Sequence, residues 1–255
     1  MPERWFDTHV HLERYDPADQ RRLVDEARAA GVEDMLAVST SLDSSERTLA
    51  IDIPVLRAIG VHPTRADDFD ASRLRALARH ESVAAIGECG FDAAGPGWEQ
   101  QHAAFAAQAD IAREVALPLI VHIDGPGAWE QFVDASSAVA GLTLIRHYFS
   151  GEEHQARHHA ERGHFVSLGR PLIREPGQLR VARLIPPELL LIETDSYPLP
   201  NRTTEPKSLP EVGYALARAL GITMEACSAL LWNNTLRALA RRAILPRKDN
   251  SQLRS

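Results

Sequence analysis

Residues 119–122, Leu119-Ile120-Val121-His122, decide how the fold is read: three consecutive apolar residues run straight into a histidine. A strand with one solvated face would alternate apolar and polar residues. An unbroken apolar run instead suits a parallel strand covered on both faces. Near-continuous apolar runs recur on either side, at Trp5 to Thr8, Met35 to Ser39, Leu56 to Gly60, Val83 to Gly87, Leu142 to Arg146, His164 to Leu168 and Leu189 to Glu193. Helical patterns lie between these runs. Pro17 to Ala30 carries Leu23, Ala27 and Ala30 on one face and stops at Gly31, while Trp98 to Ala116 carries Phe105, Ala109 and Ala112. Helices are also expected over Leu209 to Leu220 and Met224 to Ala243. Eight strands alternating with helices predict an α/β fold with a parallel sheet. Strand count and the length of 255 residues favour a single-domain (β/α)₈ TIM barrel, for which roughly 250 residues is typical, over a doubly wound sheet. The barrel is expected over 1–245, followed by a polar tail at 246–255.

Composition narrows the class without fixing the chemistry. Hydrophobic residues make up 44% and charged residues 25%, values expected of a globular chain able to bury its own core. Two cysteines far apart, Cys89 and Cys227, make neither a disulfide framework nor a zinc ribbon and suit a reducing, cytoplasmic setting. No signal peptide and no apolar run of membrane-spanning length is visible. A net charge of −7 argues against a protein that coats nucleic acid, although a local basic rim would escape that test.

Ligand-type residues fall at the ends of the expected strands, which is the face of a barrel where active sites are built. Asp7-Thr8-His9-Val10-His11 closes the first strand, and alternation lets His9 and His11 point the same way and reach one metal ion. His62 follows the third strand in Gly60-Val61-His62-Pro63 and by itself reads as structural. Glu88 follows the fourth in Gly87-Glu88-Cys89-Gly90, where a carboxylate is costly to bury unless paired or metal-bound. Cys89 beside it reads as a small buried apolar residue. His122 and His147 end the fifth and sixth strands. Glu193-Thr194-Asp195 ends the eighth, and closure of the barrel would bring Asp195 beside His9 and His11, able to bind metal and accept a proton. His80, His102, His154, His158 and His159 fall in helices or loops and are given no role.

As a set, these motifs resemble the TatD family of metal-dependent deoxyribonucleases. The resemblance rests on Asp7-Thr8-His9-Val10-His11-Leu12, Gly60-Val61-His62-Pro63, Gly87-Glu88-Cys89-Gly90-Phe91-Asp92, Pro118-Leu119-Ile120-Val121-His122, His147-Tyr148-Phe149-Ser150-Gly151 and Glu193-Thr194-Asp195, which occur in family order. Asn233-Asn234-Thr235 is similar to the family's closing helix. The resemblance implies a centre of two divalent ions: His9, His11, Glu88 and Asp195 around one, with Glu88 bridging to a second held by His122 and His147. It places His62 in the shell around them or against a substrate phosphate. Magnesium, manganese or zinc would serve, the histidines suiting zinc or manganese better. The implied reaction is hydrolysis of a phosphodiester, in DNA or a small substrate, with Glu88 and Asp195 as catalytic carboxylates. Arg170, Arg174 and Arg202, on loops after the seventh and eighth strands, are candidate phosphate contacts.

The chain also departs from the family pattern. Ser-Arg or Thr-Arg usually follows the fifth-strand histidine; here it is Ile123-Asp124. Asp124 is expected at the rim of the metal site, where it would repel a phosphate and suit an amine-bearing substrate. The sixth-strand histidine is followed by Tyr148 rather than cysteine, and the usual Gly-Leu-Asp-Tyr reads Gly-Phe-Asp-Ala. Two other readings follow: the same centre hydrolysing a small ester, lactone or amide, or a degenerate barrel kept as a scaffold. An intact cluster of ionisable ligands counts against the scaffold.

Overall fold

The eight apolar runs form one parallel sheet in sequential order. In a computed structural model that describes residues 3–175, 177–199 and 204–239, the strands are β1 (Trp5–Val10), β2 (Val32–Val38), β3 (Leu56–Ile59), β4 (Val83–Asp92), β5 (Leu119–Asp124), β6 (Leu144–Arg146), β7 (Phe165–Leu168) and β8 (Leu190–Ile192). Between them run α1 (Pro17–Ala29), α2 (Leu42–Leu49), α3 (Ala71–Leu77), α4 (Trp98–Val115), α5 (Ala128–Asp134), α6 (Glu153–Glu161) and the short pair α7 (Pro171–Arg174) and α8 (Gln178–Ala182). After β8 come α9 (Leu209–Leu220) and α10 (Met224–Ala238). The sheet closes on itself at the C-terminal rim. The Asp195 N–H donates to the His9 carbonyl at 3.0 Å, and the His11 N–H donates to the Ser196 carbonyl at 2.9 Å. Beneath that seam the buried Asp7 carboxylate accepts from the Thr194 N–H and hydroxyl, tying β1 to the end of β8. This is the TIM barrel expected from the sequence.

Burial explains the apolar runs. One cluster draws Phe6, Leu36, Ala58, Ile120, Ile145 and Leu191 from six different strands, while two others join the strands to the surrounding helices. The helix starts are locally specified: Asp16 caps α1, accepting from the Ala18 and Asp19 N–H groups, with Pro17 in its first turn. At the other end of the barrel α10 packs on β1, the Trp232 ring centroid lying 6.0 Å from that of Phe6.

Strand boundaries differ from the expectation mainly where the site is built. β4 was expected to end at Gly87 but continues to Asp92, pairing with β5 from Cys89–Val121 to Asp92–Asp124. Gly87 and Gly90 serve this continuation. Both adopt positive φ, +125° and +141°, and a Cβ on Gly90 would collide with the His122 carbonyl. The register between β4 and β5 shifts across Ile86 to Cys89, which turns Glu88 toward the mouth of the barrel. The expected end of the last helix, the polar tail and Arg202 lie outside the described residues.

Candidate metal centre

Five strands, β1, β4, β5, β6 and β8, deliver a cluster of imidazoles and carboxylates to one point. Glu88 is 2% exposed, His9 0%, His11 4% and His147 3%, so these groups face one another rather than water. Glu88 is the hub. Its Oε2 lies 2.9 Å from His147 Nε2, 3.6 Å from His9 Nε2 and 3.8 Å from His122 Nδ1, and its Oε1 lies 3.7 Å from His11 Nε2. Asp195 Oδ1 lies 3.3 Å from His11 Nε2. His122 Nδ1 and His147 Nε2 are 3.2 Å apart. All six residues expected from the sequence to be ligands therefore converge. Asp195 reaches the cluster because its backbone takes a left-handed conformation, φ +49°, held by the hydrogen bond to β1 described above.

The histidines are oriented from outside. His11 Nδ1 lies 2.8 Å from the Val38 carbonyl, His147 Nδ1 lies 3.1 Å from Glu193 Oε1, and His122 Nε2 lies 3.2 Å from Asp92 Oδ2. Each bond fixes a ring so that its other nitrogen faces inward, as the outer partners of metal-bound histidines do. His9 differs: both its ring nitrogens are buried with no hydrogen-bond partner. An orphaned imidazole at that depth costs free energy unless a cation accepts its lone pair. Three groups of donors, His9–Glu88–His147 and His9–His11–Asp195, which share His9, and the separate His62–Asp92–His122, each have their ligand atoms within 4.8 Å of one another. Imidazole and carboxylate donors at that spacing suit transition-metal or zinc ions.

Protonation follows from the crowding. Burial opposes a charged Glu88, but the imidazoles of His147, His9 and His62 hold its carboxyl well below the usual range. Burial also opposes a charged His147, and there Glu88 and Glu193 prevail, raising the imidazole to about 10. Burial and the neighbouring His147 keep His9 neutral. Burial likewise pushes His62 down to about 4. His147 could hold a divalent ion only after giving up the proton that Glu88 and Glu193 favour on it.

Above the cluster opens a cavity of 390 Å³, bordered by Arg14, Thr64, Arg65, His62, Asp195 and Tyr197 among others. The bordering cations differ from those expected. Arg170 bonds Glu211 on α9 at 2.6 Å, and Arg174 is exposed on α7; neither borders the cavity. The chain after β7 turns almost at once into α7, which carries both to the outer layer. Arg14, on the turn after β1, takes their place, bonding Thr40 at 3.3 Å with its guanidinium 5.3 Å from the Tyr197 ring centre. Arg65, after His62, is the second. Asp124 also departs from expectation. β5 continues past the rim alongside β4, so Asp124 emerges beyond the cavity wall and lines a separate, smaller cleft.

Sequence reasoning also missed Asp92 and Glu193 as the groups that orient His122 and His147. Alternation could have found Asp92, four residues after Glu88 on one strand face, had β4 not been cut at Gly87. Glu193 stood inside the quoted Glu-Thr-Asp, where the neighbouring Asp195 drew the assignment.

Known proteins are similar to this chain in sequence and in fold. The family model described as TatD related DNase matches residues 6–240. An uncharacterized metal-dependent hydrolase TatD of Mycobacterium tuberculosis is 35% identical, over 91% of this chain and 96% of its own length. A 3'-5' ssDNA/RNA exonuclease TatD of Cronobacter sakazakii is 36% identical, over 76% of this chain and 81% of its own length. The crystal structure of YJJV, a TatD homologue of Escherichia coli K12, superposes with a TM-score of 0.82 at 25% identity, covering 94% of this chain and 98% of the other.

Proposed function

The chain belongs to the TatD family of metal-dependent hydrolases, and on that premise we propose that it hydrolyses phosphodiester bonds at the ends of DNA strands, using two divalent ions. His9, His11, Glu88 and Asp195 hold one ion, and Glu88, His122 and His147 hold the other. Zinc or manganese suits this donor set better than magnesium. When bound, such ions polarise a phosphoryl oxygen and make a nearby water more acidic. The remaining work falls to the protein. Asp195 borders the cavity and accepts the proton of the attacking water. Arg14 and Arg65 bind and orient the phosphate, and His62 stands beside them. Asp92, Glu193 and the Val38 carbonyl keep the imidazoles aimed inward. The low exposure of Glu88, His9 and His147 excludes bulk water, so the charges act at greater strength than they would in solvent. Two free cysteines, both buried, suit a cytoplasmic setting for this activity.

The observation that carries the reading is the buried ligand cluster opening directly into a cavity edged by two arginines. The cations favour a phosphate over a neutral ester, lactone or amide. Asp124, the feature that had favoured an amine-bearing substrate, lies outside that cavity. The test joins metal analysis to a substrate panel. Protein purified without added metal is assayed for divalent ions, then for cleavage of single-stranded DNA, bis(p-nitrophenyl) phosphate, p-nitrophenyl esters and lactones, with chelator and metal add-back. The expected outcome is up to two ions per chain and phosphodiester cleavage that chelator abolishes and metal restores. Full-rate cleavage by metal-free protein, or turnover confined to esters and lactones, refutes the proposal.

A further inference from the structure

The smaller cleft has a chemistry of its own. It is a 160 Å³ cavity bordered by Asp124, Trp129, Arg146, Ser150 and Gln155, below the 300 Å³ or so of a drug-sized pocket and of a scale for a single ring system. Arg146 is 7% exposed. Its guanidinium donates to the His147 and Ile123 carbonyls, leaving three of its five N–H groups for other partners. No carboxylate among the described residues forms an ion pair with it. Across the cleft the exposed Asp124 carboxylate accepts no hydrogen bond from the described residues. Trp129, half-buried, supplies an aromatic wall.

The cleft thus pairs a donor-only cation with an acceptor-only anion beside a π-face. A phosphate does not suit it, because Asp124 opposes the charge that Arg146 attracts. A neutral planar ligand with two adjacent N–H donors next to a carbonyl acceptor does. Among the nucleobases guanine alone presents that edge: N1–H and the 2-amino group match a carboxylate, and O6 matches a guanidinium. Cytosine and adenine offer one exocyclic amine beside acceptors, and thymine and uracil a single N–H between two carbonyls. The cleft is also placed for this use. Asp124 follows His122 by two residues on β5, about 6.6 Å along a strand, and Arg146 immediately precedes His147. Resting on the hydrolase reading above, we propose that this cleft is a guanine-selective base subsite beside the metal centre, holding the base of a nucleotide whose phosphate enters the cavity. Asp124 takes N1–H and the 2-amino group, Arg146 donates to O6, and Trp129 stacks on the ring, as proteins commonly read unpaired bases.

The test separates this proposal from the hydrolase reading by using nucleosides, which carry no phosphate. Guanosine, inosine (guanosine without the 2-amino group), adenosine and cytidine are titrated calorimetrically into the full-length, metal-loaded protein. Guanosine is expected to bind about tenfold more tightly than inosine, the equivalent of about 1.4 kcal/mol, and more tightly than adenosine or cytidine. In Asp124→Asn that advantage over inosine should vanish. Equal binding of guanosine and inosine, no measurable guanosine binding, or an undiminished preference in Asp124→Asn overturns the proposal. Metal-dependent cleavage of bis(p-nitrophenyl) phosphate by the wild type, which involves no base, reports on the hydrolase reading independently. Loss of guanosine selectivity with that cleavage intact removes the subsite alone.

Discussion

Glu193→Gln tests whether the groups around the cluster set its affinity for metal. Glu193 is fully buried, and its Oε1 accepts from the Tyr148 N–H at 2.5 Å while lying 3.1 Å from His147 Nδ1. Its charge, with that of Glu88, is what raises His147. Glutamine keeps the shape and one acceptor oxygen but loses the charge that makes His147 a stronger donor. Removing such an outer partner typically weakens metal binding by about 10- to 100-fold, equivalent to about 1.4–2.7 kcal/mol. Glutamine's retained oxygen places the expected loss near the lower end. Glu193→Ala, which strands both the Tyr148 N–H and the imidazole in a dry site, should lie at or beyond the upper end. The assay is competition for zinc or manganese against a chromophoric chelator at fixed pH, with kcat measured at saturating metal. At saturation Glu193→Gln should recover most of the wild-type kcat, since Glu193 touches no substrate. Wild-type metal affinity in both variants would show that His147 is either not a ligand or not positioned by Glu193, and the derivation of the second ion site would fail.

The remaining predictions concern the cavity edge and a buried pair of histidines, one on α6 and one just before β7. Arg14→Ala should weaken binding of single-stranded DNA and reduce the slope of log affinity against log salt by about one, whereas Arg170→Ala should leave both unchanged; salt titrations that rank them in the opposite order would return the phosphate contact to the loop after β7. His159 and His164 meet at 3.1 Å between their Nδ1 atoms, and burial holds His159 well below its usual range and His164 at about 4. The unfolded chain therefore takes up protons near pH 6.5 that the folded chain refuses, so their contribution to stability is complete above that value and falls as pH drops toward 4, by up to about 1.4 kcal/mol per pH unit for each histidine. Urea unfolding in excess chelator should show the loss between pH 7 and pH 5, with a shallower dependence in His164→Gln; equal dependence in the variant and the wild type would mean that His164 is not buried in its neutral form.

The part of the site that was legible in the sequence is the part that periodicity controls. A strand buried on both faces must be apolar until it reaches the rim, so the first polar residue after each run marks a position at the mouth of the barrel. His122 and Glu88 announce themselves in this way, and His147 follows one residue later, after the charged Arg146. His9 and His11 add the alternation of a strand, and Asp195 needed the further step of closing the barrel onto β1. Asp92 and Glu193 obey the same periodicity. They were passed over because β4 was expected to end at Gly87, when the positive φ of Gly87 and Gly90 lets it continue past the rim beside β5, and because Asp195 drew the assignment at the acidic end of β8. The cations follow a different logic. Arg14 and Arg65 sit on turns whose paths are set by what the turn packs against, and Arg170 was drawn outward by a short helix and Glu211 on α9; no repeat in the sequence encodes either outcome. Asp124 lies between the two cases. Its spacing from His122 put it correctly on β5, but the extra length of β4 and β5 carries it beyond the cavity wall and opposite Arg146. A residue that reads as a defect in a phosphate site on spacing alone becomes, once those strands are extended, the acceptor half of a neighbouring cleft.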